Sequence, residues 1–387
     1  MRQQTKTNLK LGFGSLIKND AAIEAAKTIP GYVPVIIGLI AAFIPVIPLM
    51  VSTSKSYGSQ FLKSNTYNLD RYNTAVMMEV KEAGYDFYLT NGELLRYKDD
   101  GVDKVRAEST VETEFTPIGE YIVSDGTIST IKYQLYYSER YDKGADFEKI
   151  KNFKDAITNT TYLKETTFVK DSDEAIAYIE ARQAGLPEGG TYKPEYYRPS
   201  FTIIYRLGLY TYVLNESTNK QAATYAGDWK HYRSEKGLID NVLDVEPSHY
   251  GANVMFEKDI NGDYKLLRNG EFTADVQKNM NKIYNESFIT AKNNSFLLYT
   301  LVFYGVYVLL IAFMGLMIFL LTRGKRNPMN YMSFWLSVKI SAWASPAPAI
   351  LALILGFLLT NFATMFFIIL FGLRIMWLSM RQLRPQY

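Results

Sequence analysis

"SAWASPAPAILALILGFLLTNFATMFFIILFG", residues 341–372, runs 32 positions without a charge and contains two prolines, Pro346 and Pro348. Whether it crosses a membrane once or twice decides the topology of the whole chain. The uncharged stretch extends a little further, over 340–373, and two others accompany it at 28–54 and 293–322. A helix needs roughly 20 apolar residues to cross a hydrocarbon layer of about 30 Å. Each run meets that length. None shows the alternation of apolar and polar residues that a barrel strand requires, so the runs read as helices.

Charge distribution settles the count. Residues 1–27 hold five basic and two acidic residues, and residues 293–387 hold seven basic residues and no acid. The stretch between, 55–292, holds 30 basic and 37 acidic residues, a net charge of −7. Short basic segments stay in the cytoplasm. That places the N-terminal segment, "TRGKRNP" (322–328) and "MRQLRPQY" (380–387) inside. With both ends inside, the last run must cross twice, turning near Thr360 and Asn361. The alternative, one 34-residue helix, would be about 51 Å long at 1.5 Å per residue and would leave the basic tail outside.

The expected architecture is a membrane protein with four transmembrane helices and a large α+β extracytoplasmic domain inserted between helices 1 and 2. Its expected parts are a cytoplasmic segment 1–29, spans at 30–53, 295–322, 335–359 and 362–380, an outer domain 54–294, a cytoplasmic loop 323–334 and a tail 381–387. The first apolar run is too long for the apolar core of a signal peptide and has no small-x-small cleavage site after a short core. It reads as an uncleaved signal anchor. The chain has no cysteine, which excludes disulfides, iron–sulfur clusters and thiol nucleophiles; a cysteine-free exported domain fits a bacterial source.

Within the spans, Lys339 and Arg374 fall near the cytoplasmic face, where long side chains snorkel to headgroups, with Trp335 and Trp377 beside them as interface anchors. Pro30, Pro34, Pro45 and Pro48 lie in or beside span one and Pro346 and Pro348 in span three, where proline interrupts the helical ladder. In "SAWASPAP" the small residues let another helix approach closely. Trp343, Ser345, Pro346, Pro348 and Ala349 are therefore candidates for contact with a membrane-protein partner; the plainer reading is packing among the chain's own helices.

The outer region reads as mixed α and β. "YDFYLTNGELLRYKDDG" (85–101) places Asn91-Gly92 between aromatic and apolar residues, a hairpin signal because both turn positions take positive φ. "NVMFEKDINGDYKLLRNGEF" (253–272) gives a second hairpin about Asn261-Gly262. "TIKYQLYYSERY" (130–141) and "SFTIIYRLGLYTYVL" (200–214) are β-branched and aromatic, as strands are. "DSDEAIAYIEARQAG" (171–185) opens on acids and closes on Gly185, as a capped helix does. "EFTADVQKNMNKIYNESFITAKNN" (271–294) has a helical pattern that leads into span two. "GLPEGGTYKPEYYRP" (185–199) is the expected internal loop.

Catalytic patterns do not emerge. His231 and His249 are the only histidines, fewer than a zinc site wants. "DINGDY" (259–264) resembles the start of a calcium loop but has Tyr264 where the sixth position needs glycine and Gly270 at the twelfth. "GFGSL" (12–16) follows no strand and lacks the third glycine of a phosphate fingerprint. The spans contain no Asp, Glu or His, which argues against a proton- or ion-coupled pump acting alone. The outer region holds 24 of the 30 tyrosines; these serve half-buried strands, a partner surface or a sugar or peptide groove. No catalytic residue, cofactor or metal ligand is expected, nor a nucleic-acid partner.

Three stretches resemble a family of Firmicute and mollicute multi-pass membrane proteins of unknown function, some of them named maltodextrin-utilisation protein MalA. "FWLSVKISAWASPAPAILALILGF" (334–357) is similar to its proline-bearing third span, "YDFYLTNGEL" to its aromatic strand and Asn-Gly turn, and "LGFGSLIKNDAAIEAAKTIPGYVPVIIGLI" (11–40) to its N-terminal entry. The likeness covers both ends and one hairpin, and residues 100–250 lie outside it. It implies no catalytic residues and an accessory role near carbohydrate ABC transport. "DAAIEAAKTIPG" also echoes the helix by which ABC permeases dock on their ATPase, but it precedes span one instead of lying in an internal cytoplasmic loop. The expected function is that of a non-enzymatic accessory or scaffold subunit of a membrane complex, in contact with the lipid bilayer and a membrane-protein partner such as an ABC transporter. The alternative is a membrane-anchored receptor whose outer domain binds a sugar or peptide.

Overall fold

The computed structural model describes residues 10–62, 69–99, 104–107, 116–124, 129–215, 220–243, 256–258, 264–266, 274–323, 327, 329–381 and 383. The chain divides into two compact units, residues 57–291 and the combination of 1–56 with 292–387. Among the described residues, four helices are long and apolar enough to cross a membrane: Tyr32–Ser54, Val276–Thr322, Phe334–Leu358 and Ala363–Arg381.

In the unit that combines 1–56 with 292–387, a helical segment at 10–14 precedes α1 (Asn19–Thr28), whose Ala22, Ile23, Ala25 and Ala26 are buried while Asp20, Glu24 and Lys27 face out. The first of the four apolar helices is not regular throughout. It comprises α2 (Tyr32–Phe43), a 3-10 turn at Ile44–Val46 and α3 (Ile47–Ser54). The cause is local: Pro45 and Pro48 each lack an N–H and crowd the preceding turn.

The unit at 57–291 begins with α4 (Ser59–Leu62) and α5 (Leu69–Glu82). Strands β1 (Tyr85–Thr90) and β2 (Glu93–Asp99) form the expected hairpin, with Asn91 at φ 53° and Gly92 at φ 83°. β3 (Lys104–Arg106) adds to it. A five-stranded sheet follows, built from β4 (Gly119–Ser124), β5 (Ser129–Ser138), β8 (Ser200–Tyr205), β9 (Gly208–Asn215) and β10 (Lys220–Asp228), in the order β10-β9-β8-β5-β4. Among the described strands, only β5 and β8 pair in parallel. Their connection carries α6 (Phe147–Asn159), β6 (Tyr162–Leu163), α7 (Asp173–Ala184) and β7 (Tyr196–Tyr197), consistent with the long crossover that parallel pairing needs.

β5 and β8 are buried on both faces, which is why neither sequence alternates cleanly. Tyr133, Leu135 and Tyr137 of β5 join one core with Val76 and Val80 of α5. Tyr136 joins the other, with Ile150, Phe153 and Ile157 of α6. Helices thus cover both faces of the sheet. Next come α8 (Leu238–Val242) and the pair β11 (Phe256–Lys258) and β12 (Tyr264–Leu266). These are the strands of the second expected hairpin; its Asn261-Gly262 turn lies outside the described residues.

The next helix is α9 (Ala274–Thr322), 49 residues without a break, of which residues up to 291 belong to the 57–291 unit. Its Met280, Ile283 and Tyr284 sit in the core of the 57–291 unit, so the helix begins some twenty residues before the expected start of span two. α10 (Phe334–Ala344) and α11 (Pro346–Leu358) form the third apolar helix, interrupted at Ser345, where Pro346 takes the first helical position. A 3-10 turn at Thr360–Phe362 reverses the chain into α12 (Ala363–Arg381). The charge-free run at 340–373 is therefore two apolar helices joined by a tight turn. All four apolar helices present large side chains outward, among them Ile40, Leu309, Ile354 and Met376. Such continuous apolar exposure suits lipid and not water.

Candidate functional site

The residues of "SAWASPAP" are turned into their own helix bundle. Ser345 and Ala349 have no exposed surface, Trp343 and Pro348 are buried, and Pro346 is half-buried. The Ser345 hydroxyl donates to the Ala342 carbonyl at 2.8 Å, which occupies the group where the helix breaks. Trp343 lies over Gly12, where a Cβ would stand 3.5 Å from the indole ring. The small residues are used for close helix contact: a Cβ on Gly38 would lie 3.2 Å from Ala342, and one on Gly356 would lie 2.8 Å from Pro48. Polar groups between the helices bond to backbone. Ser341 donates to the Ile311 carbonyl at 2.6 Å and Tyr307 to the Thr364 carbonyl at 2.9 Å. The outward side of α11 carries Ile350, Leu351, Ile354, Phe357 and Leu358 instead.

The four residues named as interface anchors fall in two places. Lys339 and Trp335 sit together on α10 against Gly31, whose added Cβ would lie 3.3 Å from the Lys339 ammonium. Both line a cavity of about 160 Å³. Trp377 is exposed on α12, while Arg374 on the same helix is half-buried. The Arg374 guanidinium bonds to the Ser15 carbonyl and to Asn19 Oδ1. It is held by the N-terminal segment, a partner that no sequence pattern indicated.

Among the described tyrosines of the 57–291 unit, ten are buried and structural: Tyr121, Tyr133, Tyr136, Tyr137, Tyr162, Tyr205, Tyr212, Tyr225, Tyr232 and Tyr284. Burial pushes the phenols of Tyr133 and Tyr284 above their ordinary range. These two share a buried network, in which Tyr133 donates to Asn73 Oδ1 and Asn73 Nδ2 donates to the Tyr284 hydroxyl at 3.3 Å. Thr202 and Thr211 extend it at 2.6 Å. Asp86 is the other buried polar centre. Its carboxylate accepts from the N–H groups of Phe87, Ile239 and Asp240, capping α8 from a distant strand. Burial outweighs those bonds and pushes its pKa up to about 6. Gly237 is required there, because any Cβ would overlap the Asp86 carboxylate.

Residues 185–199, expected as an internal loop, are irregular apart from the short strand β7. β6 and β7 pair Tyr162 with Tyr197 and Leu163 with Tyr196, closing a neck at which the two tyrosine rings stack 5.8 Å apart. Residues 164–195 form the lobe between the two strands of that neck, and most of them are exposed. Within them α7 is capped by Ser172, which accepts from the Ala175 N–H at 3.2 Å. The Gln183 side chain clamps the following loop through the Gly190 carbonyl and the Tyr192 N–H. Yet only Ala175 of this twelve-residue helix is buried, and Ile176 is 46% exposed, with Val169 and Leu186 also exposed. The lack of a regular apolar stripe in "DEAIAYIEARQA" is the sequence signal for it.

His231 is exposed and His249 lies outside the described residues. Among the described residues no group of three or more His, Asp or Glu side chains is gathered closely enough to hold a metal ion. No protein family, curated protein or solved structure matches this chain. The likeness to the maltodextrin-associated membrane family rests on the quoted motifs alone.

Proposed function

We propose that this is a four-span membrane protein with both termini in the cytoplasm and the 54–294 region outside, acting as a non-enzymatic accessory or scaffold subunit of a membrane complex. The orientation is supported by the twelve basic and two acidic residues at the ends against the net −7 of the middle. The observation that carries partner binding is the lobe at 164–195. A twelve-residue helix is marginal in water and ordinarily depends on tertiary packing. Here α7 is capped and clamped by its own loop while its apolar side chains Ile176 and neighbouring Leu186 stay exposed. Such a surface suits a protein partner. Ten of the tyrosines are engaged in the core and so are not available to a ligand.

The carbohydrate ABC transporter that the family resemblance suggests is the first partner to try. Mild detergent extraction of the native chain should bring down one membrane protein in constant stoichiometry. The I176E/L186E variant, altered only at exposed positions, should lose it while melting at the same temperature. Repeated isolation as a lone chain, or retention of the same partner by the variant, would refute the reading.

A further inference from the structure

α12 carries a cation inside its length. Arg374 precedes the final residue, Arg381, by seven positions, about 10 Å along the axis at 1.5 Å per residue. The groups it meets, the Ser15 carbonyl and the Asn19 side-chain amide, are neutral. Its Nη1 is buried without a hydrogen-bond partner. Among the described residues no carboxylate pairs with it. A partly buried charge without a counter-charge is costly, so a site of this kind calls for an anion.

A cavity of about 690 Å³ adjoins it. Lys18, Arg374 and Arg381 line this cavity against a single acid, Asp20. Arg381 is further held over the Trp377 ring at 5.9 Å. The N-terminus of α1 opens on the same space, with no side-chain cap from Lys18; uncapped first-turn N–H groups favour a phosphate. The remaining wall is apolar: Leu351, Leu370, Leu373 and Trp377. Leu351, Leu373 and Trp377 are each more than half exposed and continue onto the outward faces of α11 and α12. Three cations and a helix N-terminus suit a phosphate; the adjoining apolar wall suits what a lipid phosphate is attached to. A free phosphate would have no use for that wall.

We propose that this cavity holds the phosphate headgroup of one anionic membrane lipid, with its acyl chains along Leu351, Leu370 and Leu373. The site stands independently of the partner reading and of which side of the membrane it faces. The test uses the full chain in detergent and native mass spectrometry, with phosphatidylglycerol and phosphatidylcholine supplied in equal amounts. One phosphatidylglycerol per chain should be retained in preference to the zwitterionic lipid. K18Q/R381Q, altered at exposed positions, should cut that preference roughly 10- to 30-fold, since each surface cation contributes about a factor of five. R374Q should abolish it; because Arg374 also holds Ser15 and Asn19, the exposed double variant is the decisive one. Equal retention of both lipids by the wild type, or an unchanged preference in K18Q/R381Q, would overturn the proposal. Displacement of the lipid by an equal concentration of glycerol phosphate would overturn it as well, by assigning the site to a soluble organophosphate.

Discussion

Replacing Gly315 by alanine adds one methyl group where α9 passes α10. The new Cβ would lie 2.7 Å from Val338 Cα, 2.9 Å from its Cγ2 and 3.1 Å from its backbone nitrogen. Non-bonded carbons rest at about 3.5–4.0 Å, so the contact is short by roughly an ångström. Neither side can yield easily: one is helix backbone and the other a β-branched side chain with essentially one helical rotamer. The helices must separate, and with them the neighbouring bond from Ser341 to the Ile311 carbonyl at 2.6 Å. Overpacking of this kind costs about 1–3 kcal/mol. Gly305, on the same helix, supplies the control, because its added Cβ meets nothing within 4 Å. There alanine should gain up to about 1 kcal/mol of helix propensity. Because Gly315 lies in the same helix and gains the same propensity, the two variants should differ by the overpacking cost, about 1–3 kcal/mol. In a thermal melt of the full chain in detergent, at roughly 2–4 °C per kcal/mol for chains of this order, G315A should fall several degrees below G305A. If G315A melts with or above G305A, the α9–α10 packing described here is wrong.

Other expectations concern the 57–291 unit. Because Asp86 has its pKa raised from the usual 3.8 to about 6, the folded chain binds more protons than the unfolded chain between those values. Stability from this group is therefore present below about pH 4 and lost as pH rises through 6, on the order of 3 kcal/mol at most. D86N should flatten that part of the stability-against-pH curve. N73A should leave the Tyr133 and Tyr284 hydroxyls short of a buried partner and cost about 1–3 kcal/mol in chemical denaturation. Stability equal to wild type would mean that water or another side chain replaces Asn73.

Much of this arrangement was legible in the sequence because its signals are local. The charge-free runs and the basic residues that end them locate the apolar helices. Asn91-Gly92 fixes a hairpin because few other pairs accept positive φ twice in succession. The capped pattern at 171–185 gives α7. The hidden parts depend on contacts distant in sequence. Nothing near Arg374 announces that its partners are Ser15 and Asn19. Nothing in "TIKYQLYYSERY" says that it pairs in parallel with a strand some sixty residues later. Pro45 and Pro346 mark breaks in the apolar helices, but the small residues beside them suit an inward or an outward face equally. Only the packing of Gly356 on Pro48 and of Ala342 on Gly38 shows that they face inward. The tyrosines were ambiguous for a related reason, since a side chain that suits a strand core also suits a surface.

The central claim is that the membrane divides the chain at four crossings, with the sheet-bearing unit outside. The absence of cysteine permits a direct test, because a single introduced thiol has no background. E188C, in the exposed lobe, and N330C, in the exposed segment before α10, can each be treated on intact cells with a membrane-impermeant maleimide. The account predicts that E188C reacts at once and that N330C reacts only after the cells are permeabilised. Labelling of N330C on intact cells, or protection of E188C, would contradict it.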